Sequence, residues 1–122
     1  MYYVYQLTIL QLLLCTGFAA NIFVSHYSGT INTLTFNPTN DGNYSLALNT
    51  SLRIGGQPSW MTWDAANRTI YASDETSPGN GSLTAVSAAT NGSLTQIARA
   101  TAIGGGVANV LYGDGGYVAI AH

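Results

Sequence analysis

The chain has 122 residues and a formal net charge of −2, with three basic residues against five acidic ones. A surface this poor in positive charge predicts no nucleic-acid partner. The single cysteine, Cys15, lies close to the N-terminus, so neither a disulfide scaffold nor thiol chemistry is expected in the rest of the chain.

Residues 1–20 differ in character from everything that follows. Leu7–Cys15 is a mostly apolar run, and small residues come after it. A short apolar core that ends in small residues is typical of a secretory signal peptide, here with cleavage after Ala19 or Ala20. Because a membrane-spanning helix needs about 20 apolar residues, a signal peptide is favoured over an anchor. We therefore expect a secreted, extracellular protein with no membrane association after cleavage.

Export is also indicated by five N-x-[ST] sequences, the acceptors of N-linked glycans. A glycoprotein is therefore predicted. The acceptor residues are Asn43, Asn49, Asn67, Asn80 and Asn91.

After residue 21, apolar residues alternate along short runs that are separated by Gly, Asn, Asp and Pro. This period of two indicates an all-β protein, and no helix is expected in this region. The predicted strands are Ile22–His26, Ile31–Phe36, Tyr44–Ile54, Pro58–Asp64, Thr69–Asp74, Gly81–Ala88, Leu94–Ala102, Val107–Tyr112 and Tyr117–His122. A tight turn is expected at Asp114-Gly115-Gly116, with positive φ at both glycines.

The strands recur with a fixed period. Ile22 and Ile70 are 48 residues apart, and so are Ile70 and Val118. Four short strands per 48 residues is the content of one β-propeller blade, whereas the turns of a β-helix are much shorter. Residues 21–122 are therefore predicted to form an incomplete β-propeller of 48-residue repeats, with blades of four antiparallel strands.

Several segments resemble the lactonase and 3-carboxy-cis,cis-muconate cyclase propellers, whose members include 6-phosphogluconolactonase-like proteins. The resemblance covers nearly all of residues 21–122. It rests on His26-Tyr27-Ser28-Gly29, Gly55-Gly56-Gln57-Pro58-Ser59-Trp60, the turn from Asp64 to Tyr71, and Asn91-Gly92-Ser93-Leu94-Thr95.

The resemblance implies a seven-bladed ring in which the innermost strand of each blade begins near Gln-Pro-Ser. On that numbering, Pro58–Asp64 and Val107–Tyr112 are inner strands. The chain then holds three strands of one blade, one whole blade and two strands of a third, about two blades of seven. We expect an N-terminal fragment of the propeller, which can self-associate.

Hairpin geometry places the ends of second strands and the starts of inner strands on one rim. His26, Asp74, His122 and Gln57 are the rim candidates. The resemblance to the cyclases implies a histidine in this region that supplies the proton transfer at carbon in cycloisomerisation, which an imidazole can do near neutral pH. His122 is therefore the leading catalytic candidate and His26 the weaker one. Both imidazoles can instead simply hydrogen-bond loop backbone.

Other chemistry is less well supported by the sequence. Asp74 and Glu75 with the two histidines contain no close-spaced ligand pair, so neither a metal nor a cofactor is predicted. Trp60 and Trp63 can provide a sugar-stacking platform or fill space between blades. The arginines are placed away from the rim: Arg68 in a turn on the opposite face, and the other two on outer strands.

The resemblance implies an enzyme of one of two kinds, acting on a small carboxylate or lactone. One is an intramolecular lyase (isomerase) of the carboxymuconate cycloisomerase kind, and the other is a lactone hydrolase. Two alternatives stay open: a non-catalytic extracellular propeller that binds a glycan or a protein, and an inactive truncated gene product.

Overall fold

The computed structural model describes residues 20–122, and the predicted signal peptide lies outside the described residues except for Ala20. The described part of the chain consists of strands, turns and loops without a helix, as predicted. The strands are β1 (Ala20–His26), β2 (Thr30–Pro38), β3 (Tyr44–Arg53), β4 (Pro58–Asp64), β5 (Thr69–Asp74), β6 (Asn80–Ala88), β7 (Leu94–Ile103), β8 (Ala108–Tyr112) and β9 (Tyr117–Ala121).

The strands form three antiparallel sheets, each ordered as a run of successive hairpins. The first sheet is β1-β2-β3, the second is β4-β5-β6-β7 and the third is β8-β9. This is the predicted division into three, four and two strands. The second sheet is therefore one complete propeller blade, and the first and third sheets are parts of two others.

The first two sheets have the same pattern of strand pairing, but corresponding hairpins differ in the length of their loops or of their paired arms. His26 pairs with Thr30 across three residues, whereas Asp74 pairs with Ser82 across seven. The following hairpin compensates: its turn has five residues in both sheets, but the strands pair for two residues fewer on each side beyond a β-bulge in the second sheet. The sequence period of 48 thus hides a four-residue insertion in the loop after β5 and the loss of four residues from the paired arms of the next hairpin beyond its bulge.

A β-bulge recurs at the same place in both sheets. Asn49 on β3 and Ile97 on β7 have no partner in the ladder, and they are 48 residues apart. A bulge increases the local twist of a strand, so both outer strands are bent in the same way.

The tight turn between β8 and β9 differs from the prediction by one residue. Positive φ angles occur at Gly113, Asp114 and Gly115, and Gly116 donates its N–H to the Gly113 carbonyl. Asp114-Gly115 therefore occupies the two central positions of a type I′ hairpin turn.

The core lies between the first and second sheets. Side chains alternate across each strand, so one face of β2 meets the facing side of β5 and β6. Ile31 and Val86 are fully buried there, and Ile70 is 2% exposed. Phe23 on β1 and Met61 on β4 pack against this cluster. Burial of each such aliphatic side chain stabilises the fold by about 1.5–3 kcal/mol.

Polar contacts also fasten neighbouring sheets together. The β6–β7 turn of the second sheet docks on the first through the Thr33 hydroxyl, which donates to the Gly92 carbonyl at 2.7 Å. Asn109 of the third sheet is buried, and its amide donates to the Tyr71 carbonyl at 3.2 Å. These bonds fix how successive sheets sit against each other, which apolar packing alone leaves imprecise.

Candidate functional site

The predicted rim is present at one end of the sheets. His26 and Asp74 are the last residues of β1 and β5, and Gln57 precedes β4. The two strand-end residues occupy equivalent positions, and each accepts a hydrogen bond from the backbone N–H two residues later. The side chain of His26 or Asp74 thus caps the turn that follows its strand.

Asp74 is the central hydrogen-bond acceptor of this rim. Its side chain is 5% exposed. One carboxylate oxygen accepts from the Gln57 and Thr76 N–H groups at 2.9 and 3.1 Å, and the other accepts from Gly56 N–H at 3.0 Å. Burial raises the pKa of Asp74, but the bonds from Thr76, Gly56 and Gln57 outweigh it and lower the pKa to about 2. Asp74 therefore joins the β3–β4 connection to the β5–β6 loop as a charged structural cap.

Gln57 helps to connect the two loops through its backbone. Its N–H donates to Asp74, and its carbonyl accepts from Glu75 N–H at 3.0 Å, while its side chain is exposed. The first and second sheets also meet at the rim through Tyr27 and Glu75. A hydrogen bond with the Glu75 carboxylate raises the pKa of the Tyr27 phenol.

His26 is exposed, and the turn after it orients the imidazole. Ser28 N–H donates to Nδ1 at 3.0 Å, and the Ser28 hydroxyl lies 2.9 Å from the same nitrogen. Because Nδ1 accepts this backbone bond, a neutral His26 carries its proton on Nε2. The Nε2–H group is then the polar group that His26 presents beyond its own turn.

Arg53 reaches the same turn, contrary to the expectation that its outer-strand position keeps it from the rim. Its guanidinium donates to the Ser28 carbonyl at 3.0 Å. The register explains this, because His26 lies opposite Thr30 and Thr30 lies opposite Arg53. Residues directly opposite in antiparallel strands project to the same face, so the imidazole and the guanidinium flank one residue, Ser28.

Arg99 also extends to the rim from an outer strand. One of its terminal nitrogens lies 3.9 Å from the carboxylate of Asp74. This contact is long, and the arginine side chain is 45% exposed, so it contributes little to stability.

His122 occupies the position in the third sheet that corresponds to His26 and Asp74. A side chain placed on Gly106 would come within 3.3 Å of its ring carbon Cε1. Within residues 20–122 no group of three or more His, Cys, Asp and Glu side chains is arranged to hold a metal ion. No helix in that part of the chain is long and apolar enough to span a membrane.

The two tryptophans differ in their surroundings. The Trp63 ring lies 5.7 Å from that of Phe23, between the first two sheets, and the Arg68 guanidinium sits 5.9 Å from its centre. A cavity of about 410 Å³ opens beside them, at the end of the sheets opposite the rim. Trp60 is half exposed. Trp63 thus contacts the neighbouring sheet, but it is still 42% exposed, so both tryptophan rings are partly accessible.

A family model described as "Lactonase, 7-bladed beta-propeller" matches residues 21–122. The chain belongs to this lactonase propeller family. Comparison with curated proteins gave no match, and comparison with solved structures gave none. The nine described strands correspond to one complete blade and parts of two others of the seven-bladed fold.

The sequence did not reveal that His26 and Arg53 of the lactonase propeller's rim both lie opposite Thr30 and both contact Ser28. The signal was present in the hairpin lengths. Counting outward from the Ser28-Gly29 turn places residue 26 against residue 30, and the next hairpin places residue 53 there too. The β-bulge within that second hairpin shifts the register by one, which hides the pairing from a simple count.

Proposed function

We propose that the protein serves lactone chemistry at the rim of its first sheet, with His26 and Arg53 as the working groups. The observation that carries the proposal is that both side chains are held on Ser28, the imidazole by its N–H and the guanidinium by its carbonyl. An imidazole beside a guanidinium suits a substrate that bears a carboxylate next to the reacting carbonyl.

The preferred reaction is lactone hydrolysis. Water adds to the ring carbonyl carbon, the ring C–O bond breaks, and a hydroxy acid is released. The Nε2–H of neutral His26 can donate to the carbonyl oxygen as negative charge develops on it. Arg53 uses one N–H on Ser28 and retains others for the carboxylate of substrate or product.

The second candidate is cycloisomerisation of the carboxymuconate kind. There a carboxylate oxygen adds to a C=C bond and a proton is delivered to the adjacent carbon, which requires an imidazolium. The Ser28 hydroxyl, 2.9 Å from Nδ1, can accept the additional N–H of that form. The backbone N–H of Ser28 would then exchange its bond to Nδ1 for one to water, since this turn is exposed.

The test compares the purified protein with three variants, His26→Gln, Arg53→Gln and Arg99→Gln. Hydrolysis is followed by acid release from simple and carboxylated lactones, and cyclisation by loss of 3-carboxy-cis,cis-muconate absorbance. We expect His26→Gln to abolish turnover and Arg53→Gln to raise KM about tenfold for carboxylated substrates, in line with the loss of one charged hydrogen bond. Arg99→Gln is the control for loss of a rim arginine that does not touch the Ser28 turn.

Full activity in His26→Gln would refute the assignment. If the unaltered protein turns over none of these substrates, the non-catalytic alternative replaces it, and the accessible Trp60 ring is the feature that supports glycan binding. The proposed location is extracellular, supported by the character of residues 1–20 and by the five glycan acceptor sequences.

A further inference from the structure

The five acceptor asparagines differ in how their side-chain amides are used. An N-linked glycan replaces one of the two hydrogens on Nδ2. A folded chain can therefore carry the sugar without rearrangement only where at least one of these hydrogens is free.

Asn49 uses both of its amide hydrogens. Its Nδ2 donates to the Asn91 carbonyl at 2.8 Å and to the Thr35 hydroxyl at 3.3 Å. The first of these bonds joins the first sheet to the β6–β7 turn of the second. The nitrogen is also confined, because a single carbon atom added to Gly92 would come within 2.8 Å of it.

The other four acceptors leave room for a sugar. In Asn43 and Asn67, Nδ2 donates one bond to an aspartate of the same turn, at 2.8 Å in both cases. In Asn91 it is Oδ1 that is engaged, by the N–H and hydroxyl of Ser93. Asn80 is exposed at the start of β6, and its side chain makes no hydrogen bond within residues 20–122.

We propose that Asn80 carries an N-linked glycan in the secreted protein and that Asn49 remains unmodified, because its amide is a docking group between blades. In the modification, Asn80 Nδ2 forms a bond to the anomeric carbon of a polyprenyl-pyrophosphate-linked oligosaccharide. The bond from that carbon to the pyrophosphate breaks, the polyprenyl pyrophosphate leaves, and Nδ2 loses one proton. The inference rests on the proposed secretion and is independent of the lactone chemistry.

A glycan at Asn49 would disturb the contact between the first sheet and the β6–β7 turn. The side chain is largely exposed, so a sugar attached before folding could be accommodated only by swinging the amide outward. That movement would remove the bond to Asn91 and leave the turn at Gly92 without this contact. Chains modified at Asn49 are thus expected to be less stable than unmodified chains and to be depleted from the folded, exported fraction.

The experiment expresses the full chain in a eukaryotic secretory host and isolates the folded monomer from the medium. Enzymatic removal of the glycans in ¹⁸O-labelled water converts each occupied asparagine to a labelled aspartate, which peptide mass spectrometry reads site by site. We expect label at Asn80 and none at Asn49. Asn80→Gln should have one glycan fewer than the unaltered protein.

Two variants separate the acceptor sequence of Asn49 from its hydrogen bonds. Ser51→Ala removes the acceptor sequence but leaves the Asn49 amide in place, so glycan number and melting temperature should not change. Asn49→Gln should keep the glycan number and lower the melting temperature. Label at Asn49, loss of a glycan in Ser51→Ala, an unlabelled Asn80, or retention of unmodified protein inside the cell would each overturn the proposal.

Discussion

Replacement of Asp74 by asparagine tests the hydrogen bonds through which this carboxylate joins the β3–β4 connection to the β5–β6 loop. The variant keeps the shape of the side chain but removes its charge and turns one acceptor oxygen into a donor. The oxygen that receives Gln57 and Thr76 can be retained, whereas the Gly56 N–H then faces an NH₂ group. This contact is only part-buried, so leaving the Gly56 donor without an acceptor costs at most about 1–3 kcal/mol.

The charge adds a pH-dependent part that can be worked from the pKa. The pKa of Asp74 falls from 3.8 to about 2 on folding. At 1.36 kcal/mol per unit, the ionised form stabilises the folded state by about 2 kcal/mol. Because the folded pKa is the lower one, this contribution is fully present above about pH 5. It is lost as the pH falls through the range between the two values.

The assay is urea unfolding from pH 7 to pH 2.5 for the unaltered protein and for Asp74→Asn. At pH 7 we expect the variant to be about 2–4 kcal/mol less stable, with the difference shrinking by about 1.5 kcal/mol at pH 2.5, which is still above the folded pKa. Asp114→Asn, at an exposed turn, is the control for loss of one negative charge. Equal stability of Asp74→Asn and the unaltered protein at every pH would refute the role given to this carboxylate.

Two further substitutions test the packing between the first two sheets. Gly92 and Gly42 both have positive φ in corresponding turns, but a Cβ on Gly92 would meet Thr33 at 2.8 Å, whereas one on Gly42 meets nothing within 4 Å. Gly92→Ala should therefore lower the free energy of unfolding by several kcal/mol, and Gly42→Ala by only about 1 kcal/mol from backbone strain. Thermal or urea unfolding measures both, and equal losses of stability would contradict the docking of the Gly92 turn on the first sheet. Ile31 is fully buried, whereas Leu48 is 66% exposed. Ile31→Ala should therefore lower the free energy of unfolding by about 2–5 kcal/mol, and Leu48→Ala should change it by no more than about 0.5 kcal/mol. A larger loss in Leu48→Ala than in Ile31→Ala would place the core elsewhere.

The strands and their grouping could be predicted because both depend on local signals. Period-two alternation gave β4 and β5 with the correct bounds, and hairpin turns ordered the strands within each sheet. The 48-residue period also predicted equivalent positions such as His26 and Asp74. It could not reveal the longer loop after β5 and the shorter arms of the hairpin that follows it, because an insertion and an equal deletion leave the total spacing unaltered.

The side-chain partnerships at the rim were beyond the sequence. Arg53 lies on an outer strand, and only the length of its side chain and the bulge at Asn49 bring its guanidinium to Ser28. Asn109 is equally unexpected, since the equivalent position one repeat earlier is Met61, an apolar residue. Its amide crosses to β5 through contacts that depend on the packing of separate sheets.

The most direct test of the account is ligand binding at the Ser28 turn, followed through the imidazole resonances of His26 by NMR. The ligand is the hydroxy-dicarboxylate formed by opening a carboxylated lactone. The account predicts saturable shifts of the His26 signals, weakened about tenfold in Arg53→Gln and retained in Arg99→Gln. Shifts of equal affinity in Arg53→Gln, or none in the unaltered protein, would contradict the assignment of a lactone site to His26 and Arg53.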